Sequence, residues 1–378
     1  MKSFCEKLGV DYERVSTEVA GDMQYLKCRG VNSYTLTPIT RGASNRGYCR
    51  VVFPGGFGDG RIPASLILMV LSDPDPHKGI EEVTALAEEL RELPFINALK
   101  HFRACGVAVP ELYHYNKDAG LLYLEDFGSV MLRDAVSDKP DDVKRHYLQA
   151  AIDELVKLHV QGTGHENPEF LGFRIKFGRD LLFWELNHFT DYAIRDRVPG
   201  MPSPEDEVLI EHYFNRLVDM LIAVPYILCH RDFQIDNLLV QDEAIKVIDF
   251  QDALMGPLPY DLACLLYDRD TALILGDDLI EGLIAWYADR YEAASGEPLD
   301  REGFRRDFDL CVIHRAFKVV GRFYYIHSVK KRDEFLNWIP PMYRALRTYL
   351  ERCPDMAGLQ EILGKYLPEL KNENKLSP

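Results

Sequence analysis

The stretch Ile227–Asp261 reads ILCHRDFQIDNLLVQDEAIKVIDFQDALMGPLPYD. An apolar run ends on His230-Arg231-Asp232, and Asn237 completes the spacing H-R-D-x-x-x-x-N. Two short strand-like islands follow, near 237–240 and 245–250, and the second ends on Asp249-Phe250. Four fixed identities at fixed spacing arise by chance in roughly one chain in several hundred. The second Asp in the right context lowers that further, so the pattern carries weight and points to phosphoryl transfer.

The chemistry explains the residue types. An attacking hydroxyl must be held in line with a phosphorus atom, and a carboxylate beside its proton orients it and accepts that proton. Asp232 is the candidate for this catalytic role. Charge on phosphate oxygens calls for Mg²⁺, a hard cation that prefers oxygen donors. Asn237 offers an amide oxygen and Asp249 a carboxylate, one on each side of a tight hairpin, and these are the candidate metal ligands. His230, at the end of an apolar strand, reads as a packing or hydrogen-bonding residue. Only nine residues separate Asp249 from Pro259-Tyr260-Asp261-Leu262-Ala263, and no Ala-Pro-Glu closure occurs nearby. Without a long activation segment there is no platform for a peptide, and the expected partner is a small-molecule acceptor.

Working outward, the first third alternates short β-like runs with turns. These are TLTPI, GYCRVVF, SLILMVL, ELYHY and GLLYLEDF, with helical spacing over Ile80–Leu93 and Phe95–Ala104, the latter closed by Gly106. From Met131 long helices dominate: Lys144–Gln161, Leu181–Arg195, Pro204–Ala223, Asp278–Ser295, Phe304–Ser328 and Glu334–Glu351. The expectation is an α+β, two-lobed, protein-kinase-like fold, with a small β-rich N-lobe over 1–127 and a larger, mostly helical C-lobe over 128–378.

Across 378 residues, 47% are hydrophobic and 28% charged, which is ordinary for a globular enzyme with a proper core. The net charge of −16 argues against a nucleic-acid or anionic-membrane partner, since both need a basic face. Eight cysteines are scattered with no CxxC pair, so reduced thiols are expected. The start MKSFCEKLGVDYERV has no signal-peptide run and no apolar stretch is long enough to span a bilayer, which reads as a cytoplasmic location. The tail from Lys371 to Pro378 reads as disordered.

At these motifs the sequence resembles the aminoglycoside phosphotransferase (choline/aminoglycoside kinase-like) family, and within it the anomeric kinases of N-acetylmuramate and N-acetylglucosamine. The matching stretches are HRDFQIDNLL, DFQDALMGPLPYDLA, ACGVAVP and LLYLEDFG. The resemblance implies an ATP- and Mg²⁺-dependent kinase of a small amino-sugar in cell-wall recycling. It implies that Asp261 hydrogen-bonds the catalytic loop, and that the backbone of Glu125 and Phe127 meets adenine. The turn Gly42–Gly47 would cover the phosphates through backbone N–H groups of Ser44 and Asn45 and the Arg46 side chain. Met69 stands in SLILMVL where most kinases carry a phosphate-gripping Lys, with Arg46 or Arg50 as substitutes for the cation. Glu185 and Asn187, within FWELN, become candidates for acceptor hydroxyls, while Phe183 and Trp184 read as core. Arg315, Lys318 and Arg322 share one helix face, which would suit a carboxylate-bearing acceptor but reads more simply as a solvated basic stripe. Two alternatives stay open: a kinase of an aminoglycoside, choline or another small alcohol, and a nucleotide-binding pseudokinase.

Overall fold

The computed structural model describes residues 1–25, 34–39, 46–53, 64–72, 92–198 and 201–371. Most of the expected helix at 80–93, the Gly42–Asn45 turn and nearly all of the C-terminal tail lie outside them. The chain divides into two compact units, Met1–Ile96 with Val109–Ser129 and Asn97–Ala108 with Val130–Pro378.

The first unit is built on a five-stranded antiparallel sheet: β1 Thr35–Ile39, β2 Arg46–Val52, β3 Ser65–Leu71, β4 Leu112–Asn116 and β5 Leu121–Glu125, in the order β1-β2-β3-β5-β4. Period-two alternation sends Cys49, Val51, Leu66, Leu68, Val70, Leu121 and Tyr123 to one face. Two helices that the sequence reading did not mark, α1 Lys2–Leu8 and α2 Tyr12–Tyr25, cover that face with Cys5, Val15, Val19 and Met23. Asp22 of α2 accepts from Tyr123 Oη (2.9 Å) and Asn116 Nδ2 (3.0 Å), tying the helix to the sheet end. Gly47 owes its identity to this packing, because a Cβ there would overlap Phe4 and Leu8 of α1.

The second unit is mainly helical, with α3 Pro94–Ala104 contributing its Asn97–Ala104 part. Then come α4 Leu132–Val136, α5 Asp141–Val156, α6 Arg179–Phe189 and α7 Pro204–Ala223. Both expected long helices at 144–161 and 181–195 change to wider π-type turns, at Lys157–Gly162 and Thr190–Arg195. Two small sheets follow: β6 Tyr226–Cys229 with β9 Leu254–Pro257, and the hairpin β7 Leu238–Gln241 with β8 Ala244–Val247. The hairpin turns on Asp242 and Glu243, both at positive φ, as a two-residue turn requires. The remaining helices are α8 Tyr260–Tyr267, α9 Thr271–Leu275, α10 Asp277–Ser295, α11 Arg301–Ser328, α12 Ile339–Arg352 and α13 Ala357–Tyr366. The expected single helix over 334–351 is split, with a 3₁₀ segment at Asp333–Trp338 before α12.

The 28-residue α11 is the spine of this unit. It buries Phe304, Phe308, Cys311, Ile313, Phe317 and Val320 on several sides, so it has no simple amphipathic stripe. At Gly321 a Cβ would collide with the His188–Phe189 backbone of α6. Glycine therefore lets α6 and α11 cross closely, which places their polar side chains in reach of one another.

Candidate active site

The H-R-D-x-x-x-x-N segment runs from β6 to β7, anchored by buried Phe233 and Ile235. Arg231 takes φ 80°, a left-handed conformation costly for a side-chain-bearing residue. The two successive backbone N–H groups at this turn, those of His230 and Arg231, donate to the two carboxylate oxygens of Asp261, at 2.5 and 2.9 Å. That anion, wholly buried at the start of α8, clamps the loop. Behind it, His159 in the π-type turn approaches Asp261 Oδ2 at 3.5 Å through Nε2 and meets Tyr287 Oη at 2.6 Å through Nδ1. A carboxylate only accepts, so His159 donates from Nε2 and accepts the Tyr287 proton at Nδ1. Cys229 also lies within metal-ligand distance of His159 and Asp261. Burial raises its thiol well above the ordinary range and it donates to Pro257 O, so the trio is a hydrogen-bonded support.

His230 joins the loop to the residues just after β8, next to Asp249. Its Nδ1 accepts from Asp232 N (3.3 Å), which leaves Nε2–H to donate to Ile248 O (2.9 Å). Asn237 donates through Nδ2 to Asp232 O at 2.9 Å, and Ile248 N donates to Asn237 O at 3.1 Å. With its NH₂ so engaged, the amide of Asn237 turns its oxygen the other way, as a cation ligand must. Asp249, at φ 63°, receives Gln251 Nε2 at 3.0 Å, and the same nitrogen reaches Asp252 Oδ2 at 3.0 Å. The Asp249 carboxyl is shifted up, first by desolvation and then by repulsion from Asp232 and Asp252. The side chain is exposed, so the repulsion between neighbouring carboxylates is the more telling part. Clustered oxygen donors that repel one another fit a hard divalent cation.

Asp232 behaves differently. Desolvation opposes its charge, yet Arg315, Lys318 and Arg231 overcome this and hold its carboxyl well below the usual carboxylate range. Arg315 Nη1 donates to Asp232 Oδ1 at 2.8 Å, and its Nε and Nη2 grip buried Asp268 Oδ2 at 2.9 and 2.5 Å. Arg269 links Asp268 to Asp236, which in turn accepts from Arg133. Asp232 is the half-open end of this chain, its side chain 38% exposed against 4% for Arg315.

Residues 35–298 match the profile of the phosphotransferase enzyme family. The chain belongs to that family. Among its relatives, the N-acetylmuramate/N-acetylglucosamine kinase of Neisseria meningitidis serogroup B is 28% identical over 284 residues, 73% of this chain and 81% of that one. The kinase of the same name from Pseudomonas aeruginosa is 26% identical over 288 residues, 73% of this chain and 78% of that one. The fold is shared with a choline kinase from Cryptosporidium parvum (TM-score 0.58, 12% identity, 94% and 100% of the two chains). An aminoglycoside 2′-phosphotransferase captured with GDP also shares it (TM-score 0.53, 13% identity, 88% and 98%). The two-lobed kinase-like α+β fold expected from the sequence is thereby shown, as is phosphotransferase activity.

In this phosphotransferase the residues expected on the acceptor side are arranged differently from the sequence reading. Glu185 is 2% exposed rather than facing an acceptor. Its Oε1 receives Lys318 Nζ (2.8 Å) and Arg231 Nη2 (3.2 Å), and His314 Nε2 stands 3.7 Å from Oε2. Desolvation resists the charge, but Lys318, Arg231 and His314 bring the Glu185 carboxyl down to about 2. Arg315 and Lys318 are therefore internal counter-ions, which corrects the solvated-stripe reading. Trp184 is 47% exposed and Phe183 half-buried, against the expectation of core. Asn187 is half-buried on α6. The signal for the missed pairs was the three-residue step from Arg315 to Lys318; nothing in the sequence told that Asp268 and Glu185 lie opposite.

In the first unit, Met69 is fully buried between Tyr48 and Leu122 in the strand register, so SLILMVL presents a thioether where a cation was the point of comparison. Arg46 opens β2 opposite Leu71 and is half-buried. Arg50 donates to both Asp126 oxygens (2.7 and 3.0 Å) and to Gly128 O (2.7 Å), so its charge is committed to the segment after β5. Glu125 N–H is taken by Glu111 O at 2.8 Å, so this donor is already engaged within the unit, and Phe127, two residues on, is buried. Ser44 and Asn45 fall outside the described residues. Every described cysteine is free and buried, and among the described residues no helix is long and apolar enough to cross a membrane.

Proposed function

We propose that this phosphotransferase transfers the γ-phosphoryl group of ATP to a hydroxyl of an N-acetylated amino-sugar, N-acetylmuramate or N-acetylglucosamine, at the anomeric position. The observation that carries the reading is the site in the second unit, where one hairpin and one loop set Asp232, Asn237 and Asp249 together, held by Asp261 through two backbone N–H groups. The sugar is supported by the names of relatives that match over most of their length.

In this reading Asp232, ionised and aimed by Arg315, orients the sugar hydroxyl and takes its proton as the O–P bond forms. Asn237 Oδ1 and the Asp249 carboxylate would hold Mg²⁺, whose chemistry is to offset charge on the phosphate oxygens. His230 ties the Asp232 backbone to Ile248, the residue before Asp249. The first unit, with Arg46, Met69, Glu125 and Phe127, is in this reading the nucleotide-binding one.

Incubation with Mg-ATP and a panel of N-acetylmuramate, N-acetylglucosamine, hexoses, kanamycin and choline, beside Asp232→Asn, tests the proposal. The expected outcome is ADP and an acid-labile, alkali-stable sugar phosphate from the N-acetyl sugars, with kcat about 10³-fold lower in the variant. Turnover of choline or kanamycin alone would remove the sugar assignment, and nucleotide binding without transfer to any acceptor would remove the kinase reading.

A further inference from the structure

Arg315, Lys318, Arg322 and Tyr325 lie along α11 at steps of three, four and three residues, within an arc of about 80° of its circumference. The first two cations are committed, Arg315 to Asp232 and Asp268, and Lys318 to Glu185. Arg322 has no carboxylate partner among the described residues. Its guanidinium lies over a ring instead, 5.0 Å from the Tyr325 centroid. The nearby acid Asp191 is taken by Arg195. Around Tyr325 the rings of His188 (5.9 Å) and Tyr192 (5.0 Å) gather, and Trp184, stacked edge-on at 4.2 Å from His188, exposes nearly half its surface. A cation without a counter-ion, one turn beyond the Lys318–Glu185 pair and about 10 Å along the helix from Arg315, is thus set beside an aromatic surface of the kind that packs against sugar rings.

We infer that Arg322 reads a carboxylate on the acceptor, so that this site favours an amino-sugar bearing an acidic substituent over its neutral counterpart. The inference rests on the proposed sugar kinase reading and deepens it. A pyranose with its reacting hydroxyl at Asp232 and a carboxylated ether arm extended along α11 spans the interval with the help of the flexible arginine. The exposed Trp184 face supplies apolar contact to the ring. Because Arg315 and Lys318 are held by protein acids, Arg322 is the member of the stripe whose charge an acceptor can claim. A guanidinium–carboxylate contact is worth about 10- to 100-fold in affinity.

The test compares N-acetylmuramate, its methyl ester and N-acetylglucosamine on the unaltered chain, on Arg322→Gln and on Arg322→Lys, with thermal melting as a check on folding. The expected result is a kcat/KM for the acid about 10- to 100-fold above that for the ester, carried in KM. That ratio should collapse in Arg322→Gln and return in part in Arg322→Lys. Equal handling of acid and ester by the unaltered chain, or a loss in Arg322→Gln shared equally by both or appearing in the KM for ATP, overturns the inference. If no sugar is phosphorylated, the kinase reading fails separately, and calorimetric binding of N-acetylmuramate and its ester to the same three proteins still decides Arg322. Tighter binding of the acid that is lost in Arg322→Gln supports the assignment; equal binding ends it.

Discussion

The hairpin region of the second unit and the sheet of the first unit handle charge in opposite ways. Around the catalytic loop, acids and bases are buried together: Asp261, Asp268, Glu185 and Arg315 are each at most 3% exposed. In the sheet, the central strand is SLILMVL, whose Met69 is wholly enclosed, and the cations Arg46 and Arg50 stay at partly open positions. Buried ion pairs seldom stabilise a fold beyond what apolar packing would achieve. Their concentration in one unit therefore marks where orientation of a reacting group outweighs stability, while the sheet serves as a scaffold of backbone and apolar contacts.

The comparison breaks most visibly at Asp249. Asp249→Asn should lower kcat by about 10³-fold with melting unchanged or slightly raised, because it relieves repulsion with Asp232 and Asp252. A variant retaining a tenth of the activity in a coupled ADP assay would show that the exposed acid is dispensable. Next comes Arg315→Met, which takes from buried Asp268 its two close guanidinium contacts and leaves it only Arg269 at 3.6 Å. A loss of about 3–5 kcal/mol in urea unfolding is expected, together with a lower kcat, and Asp268→Asn should be milder in stability.

The third effect is on pH. Burial holds the His314 imidazole down to about 4, below its ordinary 6.5. The unfolded chain takes up that proton first as pH falls, so the stability from burying a neutral His is complete above about 6.5 and is lost as pH drops toward 4. Urea unfolding of the unaltered chain should lose on the order of 3 kcal/mol over that window from this group, and His314→Leu should show a flatter profile. In the first unit, Asp22→Asn should cost about 1–3 kcal/mol through its bonds to Tyr123 and Asn116, with little change in kcat. The smallest change belongs to Met69→Leu, a volume-conserving swap in a packed strand that should cost less than about 1.5 kcal/mol by melting. A large loss of activity there would mean that the thioether itself matters to the nucleotide side.

The reading of the second unit was strongest where function constrains neighbouring positions. The loop His230–Asn237, the hairpin to Asp249 and the clamp from Asp261 lie within 32 consecutive residues, so their spacing is visible in one line of sequence. The helix Pro204–Ala223 was also legible to the residue, since Ser203 caps it and Pro204 opens it. Where packing from afar sets the outcome, the reading was poorer. α1 is only seven residues long, and both α1 and α2 cover a sheet face that the sequence alone cannot locate. The two long helices that widen into π-type turns gave no warning, as the inserted residue keeps the apolar count intact.

Local order was thus determined by the sequence itself: a β-rich first third, a helical remainder, and a His230–Asn237 loop whose residue types point to phosphoryl transfer, because strands, caps and short loops depend on neighbours in the chain. Only the tertiary structure decided the electrostatic arrangement. Arg315 reaches Asp232 across 83 residues and Lys318 reaches Glu185 across more than a hundred. Gly321 sets that closeness by letting two helix backbones meet, and the pairing of charges follows from how near the helices come.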